Sequence, residues 1–249
     1  MQVMMRVENV NILGLDYAVT DYEKASDLII QQARATKIFK VFALPVHGIV
    51  ESNTNPDFNK AAKKADMIVP DGHPVRWLMN AWFNAGLKDR VSGPTLTRYV
   101  LNKASKHQLS VFLYGGSTET VLLKFKEYIT TNFPDLTICG TYREPSANGN
   151  TLTTPMLEKA KPHIILVGRG CPKQEIWISN QTYPCVMMGV GAAFSFYSGE
   201  TKRAPQWMQK NGLEWLYRII KEPRRLWKRY LITNTYFLML VLKNFRKFF

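Results

Sequence analysis

Val111-Phe112-Leu113-Tyr114-Gly115-Gly116-Ser117 runs a short apolar strand into a glycine turn, and Thr118 to Asn132 then follows with the period of an amphipathic helix. The same order returns twice. His163 to Val167 leads into Gly168-Arg169-Gly170 ahead of a helical stretch from Lys173 to Gln181, and Pro184 to Gly189 leads into Val190-Gly191-Ala192. Strand, small-residue turn and helix in repetition predict a Rossmann-like α/β fold, a mainly parallel sheet with helices on both faces. Ligands of such sheets gather at the carboxyl ends of the strands, and backbone N–H groups at a helix start suit a phosphate. A single glycine turn commonly just makes a tight βα connection, while three at one sheet edge point to a ligand bearing a diphosphate. Gly189-Val190-Gly191-Ala192-Ala193-Phe194 opens like a dinucleotide fingerprint but carries Phe at the third small position.

The amino-terminal half fits the same scheme. Val10 to Val19 reads as two short strands about Gly14-Leu15, and Asp21 caps a helix reaching about Ala35. Phe39 to Ala43 is a buried strand. A helix starts at Asn55-Pro56-Asp57, Met67 to Val69 is a strand closed by Pro70-Asp71-Gly72, and helices are expected over Pro74 to Asn84 and Thr95 to Lys106. Leu136 to Gly140 is a further strand, and Gly149 to Lys161 a loop and helix.

Charge divides the chain unevenly. Of the formal net charge of +14, residues 201–249 carry +10, from twelve Lys/Arg against two Glu. This yields two expected units, an α/β catalytic domain over 1–200 and a basic amphipathic helical appendage over 201–249. In the appendage, Trp215-Leu216, Ile219-Ile220, Leu226-Trp227 and Tyr230-Leu231 alternate with Arg218, Lys221, Arg224-Arg225 and Lys228-Arg229. That spacing is a helical amphipath broken or restarted at Pro223. Cations among large apolar residues suit an anionic membrane surface, and the alternative is a helix packed on the body with a solvated basic face. No nucleic-acid recognition motif accompanies the charge, so no nucleic-acid partner is expected. Tyr236 to Leu242 falls far short of the ~20 residues of a membrane span. Met1 to Gly14 has no cationic start followed by an apolar run. Cys139, Cys171 and Cys185 form no C-x-x-C pair, which fits a reduced compartment and no zinc site.

Several side chains carry candidate chemistry. Asp71 follows an apolar strand and sits between Pro70 and Gly72, where a carboxylate could take a proton from a hydroxyl; an Asx-turn or helix cap is the plainer alternative. Asp71 with His73 could also be a metal pair, but no further ligand stands nearby. Arg90, before Val91-Ser92-Gly93-Pro94, could clamp a diphosphate or be a solvated surface arginine. Lys173 and Gln174 begin a helix after a glycine turn, where an anion would be held or the pair simply solvated. His47 and His107 read as structural or surface histidines.

Collected in order, these motifs resemble the WecG/TagA/CpsF family of bacterial glycosyltransferases. The carrying blocks are Val46-His47-Gly48-Ile49, Val69-Pro70-Asp71-Gly72-His73-Pro74-Val75-Arg76-Trp77, Asp89-Arg90-Val91-Ser92-Gly93-Pro94, Gly170-Cys171-Pro172-Lys173-Gln174-Glu175, Arg203-Ala204-Pro205-Gln206-Trp207 and Gly212-Leu213-Glu214-Trp215. The resemblance implies an inverting transfer of a hexosyl unit from a UDP-sugar to a polyprenyl-diphosphate-linked sugar, at the cytoplasmic face of the membrane, with no cofactor and no metal. It places the catalytic base on Asp71 and further catalytic roles on Arg90 and Gln174. Nucleotide-sugar contacts are then expected at His47, Gly115, Gly116, Gly168, Pro172, Lys173, Gly189, Gly191 and Ser195, the last standing where the family carries Asp. Lipid-diphosphate and membrane contacts are expected at Arg218, Lys221, Arg224, Arg225, Lys228 and Arg229. Ala43-Leu44-Pro45 replaces the Thr-x-Asn found in many members. The donor sugar is left open, and the aromatic appendage could support a homo-oligomer. A nicotinamide-dependent oxidoreductase would need an intact glycine fingerprint with an acidic ribose partner, and a non-enzymatic membrane adaptor would use the appendage alone.

Overall fold

The computed structural model describes residues 7–144 and 152–245; residues 149–151 of the loop expected before Lys161 lie outside them. The strands are β1 (Asn9–Ile12), β2 (Leu15–Ala18), β3 (Phe39–Leu44), β4 (Met67–Pro70), β5 (Ser110–Gly115), β6 (Thr137–Tyr142), β7 (Ile164–Gly168) and β8 (Val186–Gly189). They form one sheet in the order β1-β2-β4-β3-β8-β7-β5-β6. The β1–β2 hairpin is antiparallel, and every other pairing is parallel.

Two apolar layers sandwich this sheet. One is covered by α1 (Tyr22–Arg34), α5 (Gly93–Lys106), α6 (Glu119–Asn132) and α9 (Ala193–Tyr197). The other is covered by α2 (Val46–Thr54), α3 (Pro56–Ala62), α4 (His73–Phe83), α7 (Thr154–Ala160), α8 (Lys173–Ser179) and α12 (Pro223–Phe245). Successive strand residues serve the two layers alternately. Val111 and Leu113 join the first, while Phe112 and Tyr114 join the second; Ile164 and Leu166 likewise oppose Ile165 and Val167. Strands buried on both faces must be apolar throughout, which is why these runs carry no polar alternation.

Local signals set the helix starts. The Asp21 carboxylate accepts from the Lys24 N–H at 2.8 Å, and Asn55 accepts from Asp57 and Phe58 ahead of Pro56. Asp21→Ala should therefore lower stability by about 1 kcal/mol, seen as a lower urea midpoint at unchanged slope.

The expected elements are present within a few residues, the helix expected after Gly189-Val190-Gly191 being the short α9, with two additions, α2 and the first helix of the appendage. The amphipath of residues 212–234 becomes α11 (Glu214–Lys221) and α12, which restarts at Pro223 and runs on to Phe245; α10 (Gln206–Lys210) precedes them. α12 lies against α2 at the carboxyl end of the sheet. Leu226, Thr233 and Phe237 are buried there, while Trp227, Leu231, Ile232, Leu238, Met239 and Leu242 face outward. One face of α12 thus packs on the body, and the residues of the opposite face are exposed.

Candidate active site

At the carboxyl end of β4 the chain turns sharply into α4. Gly72 takes φ +101° as the cap residue, and the cap makes no side-chain hydrogen bond. Asp71 is therefore not a helix cap, and its carboxylate is released for other partners. The loop that follows α4 returns alongside, held by a bond from the Val91 N–H to the Pro70 carbonyl of 2.9 Å. This brings Arg90 Nη1 to 4.0 Å from Asp71 Oδ1, while the Gly93 N–H, first in α5, points at Asp71 Oδ2 from 3.4 Å.

The appendage closes the other side. Arg90 Nη2 donates to the Glu214 carboxylate at the start of α11. Arg203 Nε lies 3.7 Å from the other Glu214 oxygen, and its Nη2 donates to Thr95 Oγ1 at 2.9 Å and Ser92 Oγ at 3.3 Å. Two carboxylates and two guanidinium groups thus alternate as Asp71, Arg90, Glu214 and Arg203. Burial pushes the Asp71 carboxyl above the usual carboxylate range; the Arg90 charge opposes this and the Glu214 charge adds to it. For Arg90 burial works against the charge, but Asp71 and Glu214 outweigh it and hold the guanidinium firmly protonated. A part-buried carboxylate with a raised pKa beside a fixed cation is a suitable proton acceptor.

His73 does not join Asp71 as a metal pair. It is buried at the start of α4, its Nε2 2.8 Å from the Gln209 carbonyl of α10. It anchors the appendage: a Cβ added to Gly212 would come within 3.2 Å of the His73 ring.

Beneath the next strands lies a second polar group. Gln174 and Glu175 are buried at the start of α8, and Gln174 Nε2 donates to Glu175 Oε1 at 2.8 Å. Gln174 lies against Gly189 at the end of β8, where an added Cβ would meet its Nε2 at 3.1 Å. His47, in the first turn of α2, has a buried Nδ1 without a hydrogen-bond partner. Its pKa is lowered to about 4, by burial first and by the Arg229 charge next, with Glu51 opposing.

The expected nucleotide-sugar glycines are mixed in character. Gly115 takes φ +125°, and a Cβ there would run into the Gly168 carbonyl; a Cβ on Gly168 would strike the Phe194 ring. The Gly116 N–H donates to the Gly168 carbonyl at 3.0 Å. Close packing at the ends of β5 and β7 therefore accounts for these three. Gly191, by contrast, is exposed with open space around it. Pro172 follows a cis peptide bond, Lys173 is exposed, and Ser195 in α9 is half-buried with its carbonyl accepting from the Thr201 N–H at 3.0 Å.

Among the appendage cations, Arg218 is half-buried, while Lys221, Arg224, Lys228 and Arg229 are exposed. Lys221 Nζ lies 5.7 Å from the Tyr217 ring centre. The Arg225 side chain lies outside the described residues. Tyr230 is within electrostatic reach of Arg218, Arg229, Glu214 and Asp71, so the start of α12 overlooks the carboxylate site.

Sequence reasoning quoted Glu214, Arg203 and Glu175 only as parts of motifs and gave them no role. An acid at position 214 within a strongly basic stretch was the available signal for the first. A groove of about 670 Å³ lined by Glu23, Arg98, Tyr99 and Tyr128 lies on the other face and contains none of the candidate residues.

The model of the family described as "Glycosyl transferase WecG/TagA/CpsF family" matches residues 10–248. The chain is 33% identical over 202 residues to the N-acetylglucosaminyldiphosphoundecaprenol N-acetyl-beta-D-mannosaminyltransferase of Bacillus subtilis (strain 168), covering 76% of this chain and 77% of that one. It is 31% identical over 201 residues to the protein of the same name from Bacillus spizizenii, covering 80% and 76%.

Proposed function

The chain belongs to the WecG/TagA/CpsF family of glycosyl transferases, and on that premise we propose that Asp71 is the base of an inverting transfer from a UDP-sugar to a polyprenyl-diphosphate-linked sugar. The observation that carries this reading is Asp71 itself: it stands at the carboxyl edge of the sheet, does not cap its own helix α4 and is set against Arg90. The named relatives attach an N-acetyl-β-D-mannosaminyl unit to a diphosphoundecaprenol-linked N-acetylglucosamine. A UDP-sugar is α-linked, so a β product requires inversion, and a single displacement needs one base to deprotonate the acceptor hydroxyl. Arg90, and the cations at the start of α12, offset the charge on the leaving UDP and on the lipid diphosphate. No step in this scheme calls on a metal.

The appendage supports docking on an anionic membrane from the cytoplasmic side. No described helix is long and apolar enough to cross a membrane. Trp227, Leu231 and Leu242 of α12 are 54%, 60% and 67% exposed, more apolar surface than solubility alone would leave on one helix. Arg224 and Lys228 lie on the same helix. A greasy stripe bordered by cations lies down in a headgroup layer, beside the lipid-linked acceptor. Replacing Arg224 and Lys228 with Gln should weaken binding to phosphatidylserine vesicles about 30-fold in a sedimentation assay at moderate salt, at about 1 kcal/mol per cation.

The functional test is a transfer screen of several UDP-sugars against a short-chain polyprenyl-diphosphate N-acetylglucosamine. Appearance of a UDP-dependent disaccharide-lipid supports the reading. Protection from thermal unfolding by NAD but not by UDP, with no transfer from any donor, overturns it.

A further inference from the structure

The chain has six tryptophans. Trp177 is buried and Trp82 packs against the same apolar layer. The other four, Trp77, Trp207, Trp215 and Trp227, are 52%, 60%, 42% and 54% exposed. They stand on four helices, α4, α10, α11 and α12, which touch in series. α4 meets α10 where His73 Nε2 lies 2.8 Å from the Gln209 carbonyl. α10 adjoins α11, and α11 lies on α12, with the Trp215 ring centre 6.1 Å from that of Tyr230. Trp77 follows His73 by one turn, their ring centres 5.9 Å apart, and is the catalytic body's own member of the series.

α11 sharpens the point. It carries Trp215, Leu216, Ile219 and Ile220, yet no residue of it is buried. A helix of eight residues is marginal in water and takes its stability from an apolar surface against which to lay its greasy side. Tryptophan suits the boundary between water and lipid, since its ring is apolar and its indole N–H still finds a polar partner. Exposed Lys210, Lys221, Arg224 and Lys228 lie on the same helices. With twelve Lys/Arg against two Glu over residues 201–249, two copies meeting by this face would set like charge against like, whereas anionic headgroups complement it.

We propose that the surface meeting an anionic bilayer is not α12 alone: it runs across α11 and α10 onto the catalytic body at Trp77, and so reaches the rim of the Asp71 site. Asp71 leads into the helix that carries Trp77, and Glu214, which binds Arg90, directly precedes Trp215. A single anchoring helix fixes depth but leaves the body free to turn about it. A contact on the body itself sets the orientation. For the acceptor this rests on the glycosyl-transfer reading and deepens it: a lipid-linked sugar standing out of the headgroup layer meets the carboxylate without the protein leaving the membrane.

The test is quenching of tryptophan fluorescence by brominated lipid in phosphatidylserine-containing vesicles, on the full chain carrying Trp207→Phe, Trp215→Phe and Trp227→Phe. Trp77 is then left as the exposed tryptophan. Its emission should move to shorter wavelength and be quenched, and both changes should vanish when Trp77→Phe is added. In the otherwise wild-type chain, Trp77→Ala should weaken sedimentation with the vesicles about tenfold. It should raise KM for a vesicle-borne acceptor by about the same factor relative to KM for a water-soluble short-chain one. Trp77 emission that does not respond to the vesicles, or an unchanged vesicle affinity in Trp77→Ala, overturns the inference. So does dimerisation of the free chain that Trp77→Ala abolishes, which would give this face to a second copy. The vesicle measurements use no sugar, so inactivity with every UDP-sugar overturns the transfer reading and leaves the membrane contact standing.

Discussion

Asp71→Asn should lose roughly 10²- to 10⁴-fold in kcat while melting close to the wild-type temperature. The amide keeps the size of the carboxylate and can still accept from the Gly93 N–H, so α4 and α5 stay in place. What it cannot do is take a proton from the acceptor hydroxyl. The loss should appear in kcat and in kcat/KM together, as expected for a group that acts in the transition state. The same residue sets part of the pH profile. A base must be ionised to work, and burial holds the Asp71 carboxyl above the ordinary carboxylate value of about 4. Turnover should therefore climb with pH through a correspondingly raised value. An Asp71→Asn enzyme with near-normal turnover would remove the base from the scheme.

Glu214→Ala should damage both stability and activity. Glu214 is the partner that Arg90 and Arg203 share, and the Arg90 and Glu214 side chains are only 11% and 12% exposed. Deleting one member of a largely desolvated ion pair leaves its partner's charge uncompensated, at a cost on the order of 3 kcal/mol. For a chain of this size that corresponds to a melting temperature lower by roughly 6–12 °C. Activity should fall for a separate reason. Arg90, released from Glu214, can close the 4.0 Å gap to Asp71. A tighter pair holds the carboxylate ionised to lower pH and weakens it as a base. The acid limb assigned to Asp71 should therefore move down in pH as kcat falls. Glu214→Asp, keeping the charge on a shorter arm, should recover much of the lost melting temperature. A melt unchanged in Glu214→Ala would mean that the appendage is not held through this pair.

The architecture was legible because both its signals are local. Apolar runs ending in glycine turns marked β5, β7 and β8, and Asp21 and Asn55 marked helix starts by their own side chains. α2 escaped notice because it follows Pro45, contains Gly48 and carries few strong helix formers, so Val46, Ile49 and Val50 gave too short a periodic pattern. The far half of α12 was missed for a different reason. The alternation of basic and apolar residues ends by Asn234, although Phe237, Leu240 and Val241 continue the face that packs on the body. At the site, Asp71 and Arg90 stood out through their turns. Glu214 did not, because its partners are 124 and 11 residues away and only the folded appendage brings all three together. The glycine turns suit a phosphate, yet Gly115 and Gly168 have a packing reason that depends on a strand pairing no single motif reveals.

The central claim, a single displacement with Asp71 as base, is tested most directly by the anomeric configuration of the product, read from its one-bond carbon–hydrogen coupling at C1 after transfer from an α-linked UDP-sugar. The account predicts a β-linked product throughout the time course. An α-linked product would mean net retention, by two displacements or by attack on the same face as the leaving UDP, and would contradict it.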